Sequence, residues 1–115
     1  MAKTIRFEVN QKELDSNNVI LQESDFVYSV SYTATEKVYF SLASNNTYTP
    51  INFNQVTSGT ALKITTSQTV SIKLNSGAQE LVVSGGTVYV GTVTGLTIKN
   101  NSGSASTIIV EIYGT

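Results

Sequence analysis

Hydrophobic and polar residues alternate with a period of two along most of this chain, the spacing that sends successive side chains to opposite faces of a strand. In Thr4–Val9, Ile5, Phe7 and Val9 share one face and Thr4, Arg6 and Glu8 the other. In Phe26–Thr33 the even positions Phe26, Tyr28, Val30 and Tyr32 are apolar or aromatic, which predicts a strand with one face for the core. Lys37–Ala43 repeats the pattern with Val38, Phe40 and Leu42 inward and Tyr39 outward, joined to the preceding strand by a short hairpin at Ala34-Thr35-Glu36. Asn10 followed by Glu13 resembles a capping box and predicts one helical turn before the polar cluster Asp15-Ser16-Asn17-Asn18.

From Gly59 onward the apolar positions come in short, regular runs. Leu62 and Ile64, then Val70, Ile72 and Leu74, then Leu81 and Val83 are expected inward, followed by Val88 and Val90, Leu96 and Ile98, and finally Ile108, Val110 and Ile112. An echo links two of these runs: Ser71-Ile72-Lys73-Leu74-Asn75-Ser76-Gly77 is nearly repeated as Thr97-Ile98-Lys99-Asn100-Asn101-Ser102-Gly103. Each copy predicts a hairpin, with Gly77 and Gly103 at the positive φ that glycine adopts without steric cost. Short strands at this spacing, with Gly and Asn turns and no helix-period segment, predict an all-β antiparallel sandwich of about 8–10 strands, jelly-roll-like. The division expected is a charged N-terminal arm with the first strand, residues 1–25, and a β-sandwich body, residues 26–115.

Charge distribution sets the arm apart. Eight of fifteen charged side chains (Lys3, Arg6, Glu8, Lys12, Glu13, Asp15, Glu23 and Asp25) precede residue 26, and the rest of the surface is left to Thr, Ser and Asn. A weakly charged surface has little repulsion to keep partners apart. Net charge is −1, so a basic footprint for nucleic acid is missing. The absence of cysteine and histidine removes thiolate nucleophiles, serine triads and the commonest metal ligands. No apolar run approaches the ~20 residues that span a bilayer and the start of the chain alternates, so a soluble protein made in a cytosol is expected.

Candidate chemistry is sparse. Asp15-Ser16-Asn17-Asn18 with Glu23 and Asp25 offers hard oxygen atoms but lacks the EF-hand pattern, and reads as a solvated turn. Glu36, Glu80 and Glu111 read as surface charge, not as the paired carboxylates of a glycosidase. No metal or cofactor site is therefore assigned. Tyr39, Tyr89 and Tyr113, with Ile109, alternate against aliphatic inward sets and are expected outward. With Arg6 and Glu8 of the arm they are the interface candidates, because aromatic, charge-poor patches suit protein interfaces.

The segment Gly95–Gly103 leading to Ile108-Ile109-Val110-Glu111-Ile112-Tyr113-Gly114 resembles the final hairpin of small virion proteins of tailed bacteriophages. The charged start and Thr/Ser/Asn-rich β body are similar in texture. The resemblance implies a non-enzymatic structural protein of the virion, made in the host cytoplasm. It further implies a capsid decoration (cement) protein, a homo-oligomer with a trimer favoured, bound to the major capsid protein or another virion protein. The alternatives are a carbohydrate-binding or adhesin domain of a tail, using Tyr48, Tyr89 or Tyr113, and a tail or neck component.

Overall fold

The structure, a computed structural model, describes residues 2–115. All regular structure among them is strand: β1 Lys3–Leu14, β2 Ile20–Tyr32, β3 Ala34–Leu42, β4 Thr49–Ile51, β5 Gly59–Thr66, β6 Val70–Leu74, β7 Leu81–Val83, β8 Gly86–Val93, β9 Leu96–Lys99 and β10 Ser106–Gly114. Every pairing is antiparallel, as the alternation predicts. Three sheets result: a two-stranded ribbon β1-β2, and two four-stranded sheets in the orders β3-β10-β5-β8 and β4-β9-β6-β7.

One buried cluster joins the two four-stranded sheets. Leu62 and Ile64 of β5 and Ile108, Val110 and Ile112 of β10 meet Ile72 of β6, Leu96 and Ile98 of β9, and Val83 of β7. The dyad alternation puts these on inner faces, and removing their area from water is the main favourable contribution to folding. β10 is paired on both sides, by β3 and β5, with inward Val110 between Val38 and Ile64. It ends at Gly114, where an added Cβ would overlap the Ser58 carbonyl, so only glycine fits this close approach.

The echoed segments are neighbours. β6 and β9 pair with Ile72 opposite Ile98 and Lys73 opposite Thr97. Their exits differ: β6 leads to β7 in the same sheet, whereas β9 leads to β10 in the other. The predicted closing hairpin is thus a crossover between sheets. Asn100, buried where the first copy has Leu74, builds it by donating from Nδ2 to Leu42 O (2.9 Å) and Ser104 O (2.8 Å) and accepting from Ser102 N at 3.2 Å. Gly103 has φ +91°, as expected. Gly77 does not; the left-handed positions are Asn75 (φ 56°) and Ser76 (φ 59°), and Gly77 N–H closes the turn onto Leu74 O at 2.9 Å.

Other expectations are corrected. Asn10–Glu13 is strand, paired with Asp25–Gln22, because the ribbon carries on to a turn at Asp15–Asn18. β2 makes no hairpin with β3, since Thr33 alone separates them; the chain turns a corner there, with Thr33 N–H donating to Gly114 O at 2.8 Å. Residue 25 lies mid-strand, and the ribbon extends to Tyr32. Leu81, Val88 and Val90 are exposed, while Tyr89 packs against the core. Pairing decides this: Tyr89 lies opposite inward Leu62, so the odd positions of β8 face the core, and Val88, opposite outward Lys63, and Val90 face out on an edge strand.

Candidate functional site

The ribbon is the part of the molecule whose side chains are least used by its own fold. Its register opposes Ile5 to Val30, Phe7 to Tyr28 and Val9 to Phe26 on one face, and Arg6 to Ser29, Glu8 to Val27 and Lys12 to Glu23 on the other. Near the body the apolar face is covered. Phe7 and Tyr32 pack edge-on against Tyr113 of β10, with ring centroids 6.1 and 5.1 Å away. Further out nothing covers it: Val9, Phe26 and Tyr28 are 37%, 45% and 51% exposed. The far half therefore presents an apolar strip to solvent, with Phe26 and Tyr28 in an edge-to-face pair at 5.6 Å.

The tip is built, not frayed. Asp15 carboxylate accepts the backbone N–H of Asn17 (2.8 Å) and Val19 (3.0 Å), Asn18 sits at φ 64°, and Asp15 N–H donates to Val19 O at 3.0 Å. An Asx turn of this kind fixes the loop through its own backbone. Around it Leu14, Val19, Ile20 and Leu21 are all about half exposed or more. On the polar face Arg6 Nε lies 3.0 Å from Glu8 Oε1, and Asn10 Nδ2 donates to Glu23 Oε1 (2.9 Å) and to Asp25.

The expected interface residues thus fall into separate places. Arg6 and Glu8 lie on the polar face of the ribbon. Tyr39, 69% exposed, stands beside Ile109 on the outer face of β3 and β10. Tyr113 is on the same outer face but serves as the seat of the ribbon, and desolvation, then Glu111, pushes its hydroxyl pKa up. Tyr89 is the correction: it points inward beside Leu62. Phe26 and Tyr28, expected in the core, are exposed because β2 pairs with β1 instead of β3. Their proper role had a signal in the sequence, since the apolar positions are mirror-symmetric about Asn17-Asn18, as in a long hairpin.

Elsewhere the polar clusters are internally satisfied. Tyr48 hydroxyl donates to Glu80, Lys99 Nζ lies 3.1 Å from Glu80 Oε1, and Lys73 Nζ sits 4.3 Å over the Tyr48 ring. Desolvation and the Glu80 carboxylate push the Tyr48 hydroxyl to about 12, and the Tyr48 and Lys99 hydrogen bonds hold Glu80 below its ordinary range. One face of Tyr48 is thereby occupied by a lysine instead of being open for stacking. Glu36 accepts N–H groups from Asn54 (2.8 Å) and Gln55 (2.7 Å), which lowers its pKa and ties the β4–β5 loop to β3. Glu111 lies between Lys37 (3.8 Å) and Lys63 (3.9 Å), a surface network of little net stability. Among the described residues no group of His, Asp or Glu is arranged to hold a metal ion. Comparison with known proteins gives no matching family model, no matching curated protein and no matching solved structure.

Proposed function

We propose that this chain is a non-enzymatic structural protein of a virion, a capsid decoration protein that attaches through its N-terminal ribbon while its body stands as a rigid unit. One observation carries the reading: a preformed two-stranded ribbon leaves the far half of its apolar face and an apolar tip uncovered beside a body that buries its own core. An isolated two-stranded hairpin is marginal in water, so such a ribbon gains from a surface to lie on. The body is read as a jelly-roll sandwich. Support comes from the orders β3-β10-β5-β8 and β4-β9-β6-β7, in which successive strands change sheet everywhere except between β6 and β7. That eight-stranded arrangement suits capsid domains among others.

In this reading Val9, Phe26, Tyr28 and the tip aliphatics bind a shell protein, and weak contacts repeated over a lattice give tight retention. The test is recovery of the chain with purified particles on a density gradient. Phe26→Lys with Tyr28→Lys is expected to leave thermal stability unchanged and to release the protein from particles. Recovery of the native chain only in the particle-free fractions overturns the proposal.

A further inference from the structure

We infer that the free edge of β1 is a seam between two copies of this chain, which pair antiparallel about a two-fold axis passing through Phe7. Among the described residues β1 is bonded to β2 alone, so one row of its backbone donors and acceptors, from Lys3 to Leu14, has no ladder partner there. Such edges are normally blunted by proline, by bulges or by unmatched charge in the middle of the strand. β1 has no proline, and its one register shift lies at the tip, between Glu13 and Leu14. Its central charges are one Arg and one Glu, two residues apart on the same face.

That spacing is self-complementary. With Phe7 opposite Phe7 of the second copy, Arg6 faces Glu8 and Glu8 faces Arg6, so each ion pair occurs twice. Ile5 faces Val9, Thr4 faces Asn10 and Lys3 faces Gln11, so apolar meets apolar and no like charges are opposed. Directly opposed residues are the pairs whose side chains interact across a ladder. Centring the pairing one residue earlier sets Arg6 against Arg6; one later sets Glu8 against Glu8. The charges therefore exclude both neighbouring registers. The other edge of the ribbon offers no equivalent, since β2 carries Glu23 and Asp25 and no basic residue.

Paired in this way, two marginal ribbons become one four-stranded sheet in the order β2-β1-β1-β2, with Tyr28-Phe7-Phe7-Tyr28 as its central row. An isologous contact of this kind closes on itself and stops at two copies. The seam uses the strand edge, whereas attachment to a shell uses the apolar face and the tip, so either can fail without the other.

Sedimentation equilibrium over a range of concentrations tests it. The native protein is expected to reach twice its chain mass of 12.3 kDa. Arg6→Glu replaces two attractions by two repulsions and is expected to weaken the dimer about tenfold to a hundredfold, as is Glu8→Arg alone. The two single variants mixed in equal amounts are expected to dimerise with each other, because in the mixed pair every acid again faces a base. Arg6→Glu combined with Glu8→Arg in one chain is expected to dimerise like the native protein, and it carries the test if a single variant does not fold. A native protein that stays monomeric or forms a three-fold particle overturns the inference. So do single variants of native affinity, and a mixture or double variant that does not recover.

Discussion

The ribbon β1-β2 and the sheet β3-β10-β5-β8 are written in the same code and end in opposite conditions. Both have strict alternation, long strands and apolar residues opposed in register: Val9 to Phe26 in one, Ile108 to Phe40 in the other. Yet Ile108 is 0% exposed and Phe26 is 45% exposed. Alternation decides which side chains share a face; whether that face is covered depends on what lies across from it. For β10, buried residues of β6 and β9 share its cluster. For the outer half of the ribbon the described residues supply nothing, and the radius of gyration of 15.8 Å accordingly exceeds the roughly 13 Å of a compact chain this long.

The contrast is tested most strongly at the core. Ile64→Ala removes a fully buried side chain from the shared cluster and is expected to cost about 2–5 kcal/mol in urea unfolding. A cost near that of a surface substitution would mean that the two sheets do not bury a common core. Next comes Asn100→Ala. It leaves the Leu42 and Ser104 carbonyls without their Nδ2 donor, and is expected to cost about 2–3 kcal/mol, a figure to be read from the same titration. If the loss is negligible, Asn100 does not hold the crossover to β10.

Much of this fold is legible in the sequence, and the rest fails for one reason. Inward positions on β3, β5, β6, β9 and β10 follow from parity, because each strand keeps the face its own pattern assigns. Pairing does not follow. The pattern of Phe26–Tyr32 is equally compatible with β1 or β3 as partner, and only the single residue between Tyr32 and Ala34 forbids the second. Likewise Leu74 and Asn100 hold equivalent places in the echo, and one exchange of an apolar for an amide side chain separates a strand that turns back from one that crosses over. On β8 the aliphatic positions mislead, because pairing sets Tyr89 opposite inward Leu62 and leaves Val88 and Val90 facing out. The candidate site was legible only in part: the charged arm and Arg6 and Glu8 stood out, whereas Phe26 and Tyr28 looked like core.

Glu36 sharpens the comparison at lower amplitude. Three backbone donors, Asn54 first, hold its carboxyl below the ordinary value of 4.5. With a folded pKa below the unfolded one, its contribution is fully present above pH 4.5 and fades as pH falls through the depressed value. Glu36→Gln is expected to lower stability at neutral pH and to flatten the loss on acidification. Thermal unfolding from neutral pH to well below pH 4.5 reads both effects. Parallel pH profiles for the two proteins would show that the β4–β5 loop does not depend on this carboxylate.

The smallest effect belongs to the far half of the ribbon, and its smallness is the point. Phe26 keeps 45% of its surface in water in the folded chain, its ring pairs edge-to-face with Tyr28, and it is not part of the buried cluster. Phe26→Ala in the dilute protein is therefore expected to shift stability by less than about 0.5 kcal/mol, the range of ordinary surface substitutions. In the proposed attachment, burial of this side chain against another surface would stabilise by roughly 1.5–3 kcal/mol. Denaturant unfolding of the variant distinguishes the cases. A loss near 2 kcal/mol would place Phe26 against the body, and the difference between the ribbon and the sheet it resembles would disappear.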